Sequence, residues 1–221
     1  MKMNFPLRRN RVITAFEVLI VILCVVVAAA TLLPILASSK RRASRINCIS
    51  NLKQDNLAFR IWEGDNTNQY PMAVSVTNGG AMELIQKGNA SAVFRVMSNE
   101  LCTTKILLCP EDTDRTFATN WNNLDGSHIS YFVSADASEE YPQMILDGDD
   151  DLVIDGKPIK PGLLALPANL PISWSGRRHG PCGNIGLADG SVQEESLTGL
   201  QNAMAYSTNG TPFSTNRIAI P

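Results

Sequence analysis

Two histidines, five cysteines and one dense run of aspartates are the residues of this chain whose types could do chemistry. His179, Cys182 and Asp189 fall in one short stretch, RRHGPCGNIGLADGSVQ, and offer a base, a nucleophile and an orienting carboxylate. No oxyanion-type glycine motif accompanies them, and Asp189 followed by Gly190 suits a tight turn better than a relay. His179 is then expected to hydrogen-bond the loop that this turn anchors, with Gly180, Gly183 and Gly186 allowing close backbone packing. His128 sits in the strand-like run SHISYFVS without an evident metal partner. We read no enzyme in these residues.

The cysteines invite a redox or metal reading. Cys24 lies in an apolar run and reads as a small apolar residue. Cys48, Cys102, Cys109 and Cys182 form no C-x-x-C pair and have no ligand spacing of a structural zinc site, so no metal is expected there. In an oxidising compartment they would support one or two disulfides. Cys102 and Cys109 are local enough to pair, but three connectivities stay open. The stretch from Asp147 to Asp155, DGDDDLVID, is rich in the oxygen ligands calcium prefers, with Asp147, Asp149, Asp151 and Asp155 as weak candidates. The EF-hand pattern fails, because Leu152 replaces the turn glycine and Pro158 the final glutamate. A solvated acidic turn is the expectation.

These residues need a scaffold. At 221 residues the chain suits one full domain with an appendage. Residues 1–62 carry ten Lys/Arg against two acids, whereas residues 63–221 carry nine against nineteen, so the C-terminal part offers no nucleic-acid surface. From Val18 to Ala37 no residue is charged, a run of roughly 30 Å as a helix, enough to span a bilayer core. A secretory signal is disfavoured, since the best exit, Ile35-Leu36-Ala37, is bulky where a small residue is preferred. Basic residues bracket the run on both sides and do not orient it. Beyond it Ile46, Ile49, Leu52, Phe59 and Trp62 recur at helical spacing, and Gly64-Asp65-Asn66 is a stop signal. One helix is predicted over 13–63, transmembrane over 13–37 and amphipathic over 38–63.

Residues 64–221 read as a loop-rich α+β domain. Short helices are predicted within 82–99, a strand over 127–134, and a hairpin over 183–195 around Asp189-Gly190. Pro161, Pro167, Pro171 and Pro181 predict extended loops between them.

The N-terminal segment resembles the prepilin N-terminus of type IV pilins and type II secretion pseudopilins. There a basic leader precedes a cleavage point, the mature chain has glutamate at its fifth position, and an apolar helix follows. Ile13-Thr-Ala-Phe-Glu17 matches, with residues 1–12 as leader, and Pro34 stands where many pilins carry a helix-bending proline. Val12 replaces the family's glycine before the cut. Downstream, His179, nine residues, then Asp189-Gly190 resembles the H-X9-DG signature of a pseudopilin-like group abundant in Planctomycetes and Verrucomicrobia. Cys48-Ile-Ser-Asn-Leu-Lys-Gln and Cys109-Pro-Glu-Asp are similar to two further stretches of that group.

The resemblance implies a pilin-like α+β fold, a long helix on a small antiparallel sheet, in a single-pass protein of the cytoplasmic membrane with an extracytoplasmic domain. It implies Ile13 as a methylatable N-terminus made by a prepilin peptidase, Glu17 as its partner on a neighbouring subunit, and Pro34 as the bend. Other pilin-like subunits would be the partners in a type II secretion or type IV pilus-related filament, and calcium, which some pseudopilins bind, the one possible ion. A buried carboxylate costs about 2.5–3.5 kcal/mol in lipid, so Glu17 is expected to have a partner. The alternative is a non-polymerising membrane-anchored binding module whose loops, 64–80 and 147–162, engage a polysaccharide or another envelope partner.

Overall fold

A computed structural model describes residues 14–221. Helix α1 runs from Ala15 to Asp65, close to the predicted limits. The chain divides into two compact units, Met1–Arg42 and Ala43–Pro221, so the second part of α1 belongs to the globular unit.

In the first unit every residue from Thr14 to Arg42 is exposed, and α1 is the one described helix long and apolar enough to cross a membrane. The helix continues through Pro34. Hydroxyls here turn to the backbone, Thr31 Oγ1 donating to the Ala28 carbonyl at 2.9 Å and Ser39 Oγ to Ile35 at 2.9 Å. That is how polar side chains are satisfied in an apolar medium.

In the second unit α1 buries Cys48, Leu52, Asp55, Asn56, Ala58, Phe59, Trp62 and Glu63 along one face. Ile46, predicted to share that face, is instead exposed, and Cys48 takes the inward position. Three short helices follow where one or two were expected, α2 (Met82–Ile85), α3 (Ala90–Val96) and α4 (Ser98–Leu101), the last running two residues past the predicted segment. Asn89 caps α3, its side chain accepting from the Ala92 N–H at 3.2 Å.

The strands are β1 (Tyr131–Ser134), β2 (Ile145–Asp149), β3 (Leu152–Ile154), β4 (Lys157–Pro158), β5 (Gly162–Pro167), β6 (Ile172–Trp174), β7 (Cys182–Leu187), β8 (Val192–Ser196) and β9 (Thr215–Ile220). Helix α5 (Leu197–Ser207) lies between β8 and β9 in sequence. Six strands form an antiparallel sheet in the order β5-β9-β1-β2-β7-β8, and three form a second sheet, β4-β3-β6.

The large sheet is covered on both faces. Tyr131, Val133, Leu146 and Ala219 join the core built on Cys48, Leu52, Phe59 and Trp62 of α1. Phe132, Ile145, Ile185, Ile218 and Ile220 join a second core with Leu200 and Met204 of α5 and Ile172 and Trp174 of β6. Phe59 is the centre of the first, edge-on to Tyr70 at 5.7 Å and to Phe94 at 6.3 Å.

Three expectations are corrected. The 127–134 strand begins only at Tyr131, after a 3-10 turn at Gly126–His128, and is buried on both faces rather than half-exposed. The proline-rich stretch is not all loop, since β5 and β6 lie within it. Pro167 is tolerated because β5 is an edge strand and needs no donor on its outer side. The segment 147–162 is not a free loop, because β2, β3 and β4 occupy half of it.

Candidate functional site

The densest group of reactive side chains lies between α1 and the large sheet. Cys48 comes from the buried face of α1. Cys109 follows a 3-10 turn at Thr104–Leu107, Asp149 ends β2, and His179 lies in the loop joining β6 to β7. All four are buried, none more than 4 % exposed. Their donor atoms lie within 4.8 Å of one another.

Cys109 Sγ lies 3.2 Å from His179 Nε2, which in turn is 3.6 Å from Asp149 Oδ2. Cys48 Sγ donates toward Asp149 Oδ1 at 3.4 Å and meets the Tyr131 hydroxyl at 3.3 Å. Asn184 fixes the carboxylate from β7, its backbone N–H and side-chain Nδ2 donating to Asp149 Oδ2 at 2.7 and 3.0 Å. Arg45, on α1, donates to the His179 carbonyl at 2.8 Å and pairs with Glu194 of β8.

The electrostatics follow from this crowding. The Cys48 hydrogen bond and then the one to His179 hold the Cys109 thiol down at about 6, against burial. The same contact with Cys109, together with burial, pushes the Cys48 thiol up. Burial opposes the charged form of His179, but the hydrogen bond to Cys109 and the charge of Asp149 raise it. Burial raises Asp149, with His179 and the Asn184 N–H pulling the other way. The arrangement sets the Cys109 thiol against the His179 imidazole, with the Cys48 thiol and the Asp149 carboxyl beside them.

The residue before His179 is clamped as firmly. Arg178 pairs with Asp112 at 2.9 Å and Asp150 at 2.7 Å, and donates to the Ser130 carbonyl at 3.0 Å. Ser130 Oγ in turn donates to Asp112 at 2.7 Å. The two neighbours Arg178 and His179 therefore meet the two ends of the Cys109-Pro-Glu-Asp112 stretch.

His179, Cys182 and Asp189 do not converge. His179 uses one nitrogen, Nε2, toward both Cys109 and Asp149, whereas a nucleophile–base–orienter relay engages the two ring nitrogens separately. Cys182 opens β7 opposite Ser196. Asp189 sits in the β7–β8 turn, where its Oδ1 accepts from the Ser191 N–H at 2.8 Å and Gly190 takes a φ of +85°. The hairpin is as predicted. His179 bonds to the other elements of the core rather than to its own loop.

Two further expectations are corrected. Among the described residues no disulfide forms: Cys48, Cys102, Cys109 and Cys182 are free. Cys102 is exposed and Cys109 fully buried, so the local pair faces different environments. The aspartates of 147–155 do not gather around one calcium, because an extended chain spreads them. Asp147 and Asp149 face α1, Asp151 accepts from Ser175 and Arg177, and Asp155 is an exposed turn residue at φ +50°. Asp149 is a ligand-type residue of a different cluster. Nor is this a solvated turn, for Asp147, Asp149 and Asp151 are all buried.

Beside Asp149, Asp147 forms a second buried acidic pair with Asp55 of α1. Burial raises both carboxyls first; after it the charge of Asp147 raises Asp55, and that of Asp149 raises Asp147. Asn56, with its amide turned to donate, reaches the two oxygens of Asp147 at 2.9 and 3.0 Å. Gly186 makes room: a Cβ there would lie 2.0 Å from Asp147 Oδ1 and 2.4 Å from the Asn56 amide.

Glu17 is not left without a partner. Its Oε2 accepts from the Thr14 N–H at 2.9 Å and the Thr14 hydroxyl at 3.1 Å, while its own N–H donates to Thr14 Oγ1 at 3.3 Å. This reciprocal pair is a capping box at the start of α1. Pro34 lies inside α1, exposed, and Val12 and Ile13 lie outside the described residues.

The four-residue cluster was missed as a set. A signal was present: Cys48, Cys109, Asp149 and His179 each lie in a stretch singled out in the sequence. Comparison with protein-family models, curated proteins and solved structures gave no match.

Proposed function

We propose that the chain is a pseudopilin-like structural subunit that polymerises through its N-terminal helix into a type II secretion or type IV pilus-related filament. The observation that carries this reading is the character of α1. One continuous helix joins a membrane-length apolar segment, covered by none of the described residues, to a stretch that contributes to the core of an antiparallel-sheet unit. A surface of Leu, Ile and Val this extensive calls for lipid or for other helices. Both are available to a subunit stored in the cytoplasmic membrane and later packed in a filament core, with its globular unit extracytoplasmic.

Glu17 would set the register. In the single chain its carboxylate caps its own helix. On assembly it would exchange the Thr14 N–H for the amine of a neighbour, a stronger charged partner where water is scarce. A prepilin peptidase acting before Ile13 would supply that amine.

Glu17→Ala should leave the protein in the membrane fraction and remove it from sheared or cross-linked filaments. Unchanged filament recovery would overturn the proposal. N-terminal sequencing provides the second check: a methylated start at Ile13 agrees with assembly, and a start at Met1 with a permanent anchor.

A further inference from the structure

We propose that Cys48, Cys109, Asp149 and His179 are the ligands of a structural zinc ion that ties α1 to the sheet of the globular unit. The donors would be the two Sγ atoms, His179 Nε2 and one oxygen of Asp149.

The distances leave room for an ion at the centre of the four donors. With Zn–S near 2.3 Å and Zn–N or Zn–O of about 2.0–2.2 Å, neighbouring corners of a tetrahedral site lie roughly 3.4–3.8 Å apart. The corresponding separations are 3.2 Å from Cys109 Sγ to His179 Nε2, slightly inside that range, 3.4 Å from Cys48 Sγ to Asp149 Oδ1 and 3.6 Å from His179 Nε2 to Asp149 Oδ2, the last two reaching different oxygens of the carboxylate. No pair of donors exceeds 4.8 Å. A single imidazole nitrogen can donate one proton, yet Nε2 faces both a sulfur and a carboxylate oxygen. A cation at the centre satisfies all four at once.

The donor types select the metal. Two thiolates and an imidazole suit zinc and exclude calcium and magnesium, which take oxygen. The surroundings complete the site: Asn184 holds Asp149 by two hydrogen bonds and reaches Cys48 Sγ at 3.6 Å, Tyr131 touches the same sulfur, and Arg45 and Arg178 anchor the loop bearing His179. Such outer contacts orient ligands. Four protein donors, all buried, leave no open position for a substrate, which is the mark of a structural rather than a catalytic ion.

The ligands come from a helix, a loop, a strand end and a second loop, so the ion would join segments distant in sequence. Its binding energy would then be folding energy for the globular unit. This role is independent of polymerisation.

The test uses the full-length chain in detergent, purified without chelator. Elemental analysis should find about one zinc per chain. Replacement by cobalt should give the intense thiolate-to-cobalt and visible bands of a tetrahedral site. Stripping the metal should lower the unfolding midpoint of the globular unit by about 10 °C, and zinc alone should restore it. Cys48→Ser and His179→Gln should lower bound zinc at least ten-fold, and Cys102→Ser should not. Should those ligand variants fail to fold, zinc content and the cobalt spectrum of the unmodified chain decide. Free thiols with negligible zinc and no cobalt bands overturn the proposal, and so does a Cys48–Cys109 disulfide in non-reducing peptide mapping.

Discussion

Between Val18 and Ala37 helix α1 carries no charge and exposes every residue, whereas between Cys48 and Glu63 it buries eight, three of them polar or charged. The backbone is the same; the surroundings that satisfy it are not. In the first stretch all internal hydrogen bonding is local, and the apolar side chains are exposed. In the second, burial does not follow polarity: Asp55, Asn56 and Glu63 go inside while Ile46, Leu57 and Ile61 stay out. Hydropathy therefore identifies the segment long and apolar enough to cross a membrane, and says little about which side of the next segment faces the core.

Truncations of similar kind should separate the two stretches most. Phe59→Ala removes the centre of the aromatic cluster and should cost the globular unit about 3–5 kcal/mol, whereas Val26→Ala should leave its denaturant midpoint unchanged. Equal effects would mean that the apolar stretch packs on the domain.

A smaller difference should appear with pH. Burial, and then the neighbouring Glu139, push Glu63 up to about 7. The folded state thus holds a proton that the unfolded state releases near 4.5, so stability is full below that pH and falls as pH rises to 7. We expect a loss of about 2 kcal/mol across this window, read from urea unfolding, and a flatter profile in Glu63→Gln. An unchanged profile in that variant would place the dependence elsewhere.

The smallest effect should come from the start of the helix. Thr14→Ala breaks the capping box and should cost about 1 kcal/mol, visible as faster amide exchange in the first turn and not as a change in the midpoint of the globular unit.

Much of the scaffold was legible. The extent of α1 followed from an uncharged run, a helical period and a Gly-Asp-Asn stop, all local signals. The β7–β8 hairpin followed from Asp189-Gly190, where a positive φ is needed. Strand β1 was legible as part of 127–134, whereas β2, buried along its whole length, carries three polar or glycine residues and read as an acidic turn. The candidate site was legible only as isolated types. Cys48, Cys109, Asp149 and His179 are each ordinary in their own stretch, and no spacing rule connects residues so far apart.

By itself the sequence determined that one segment is long and apolar enough to cross a membrane, that the rest is an acidic α+β domain, and where its best turn lies. These depend on composition and short-range geometry. Only the tertiary structure decided that the aspartate run splits among separate partners, that Cys102 and Cys109 do not pair, and that four distant residues share a buried centre. Strand register and helix docking made those choices, because they fix which side chains meet, and both arise from contacts between residues that no local pattern brings together.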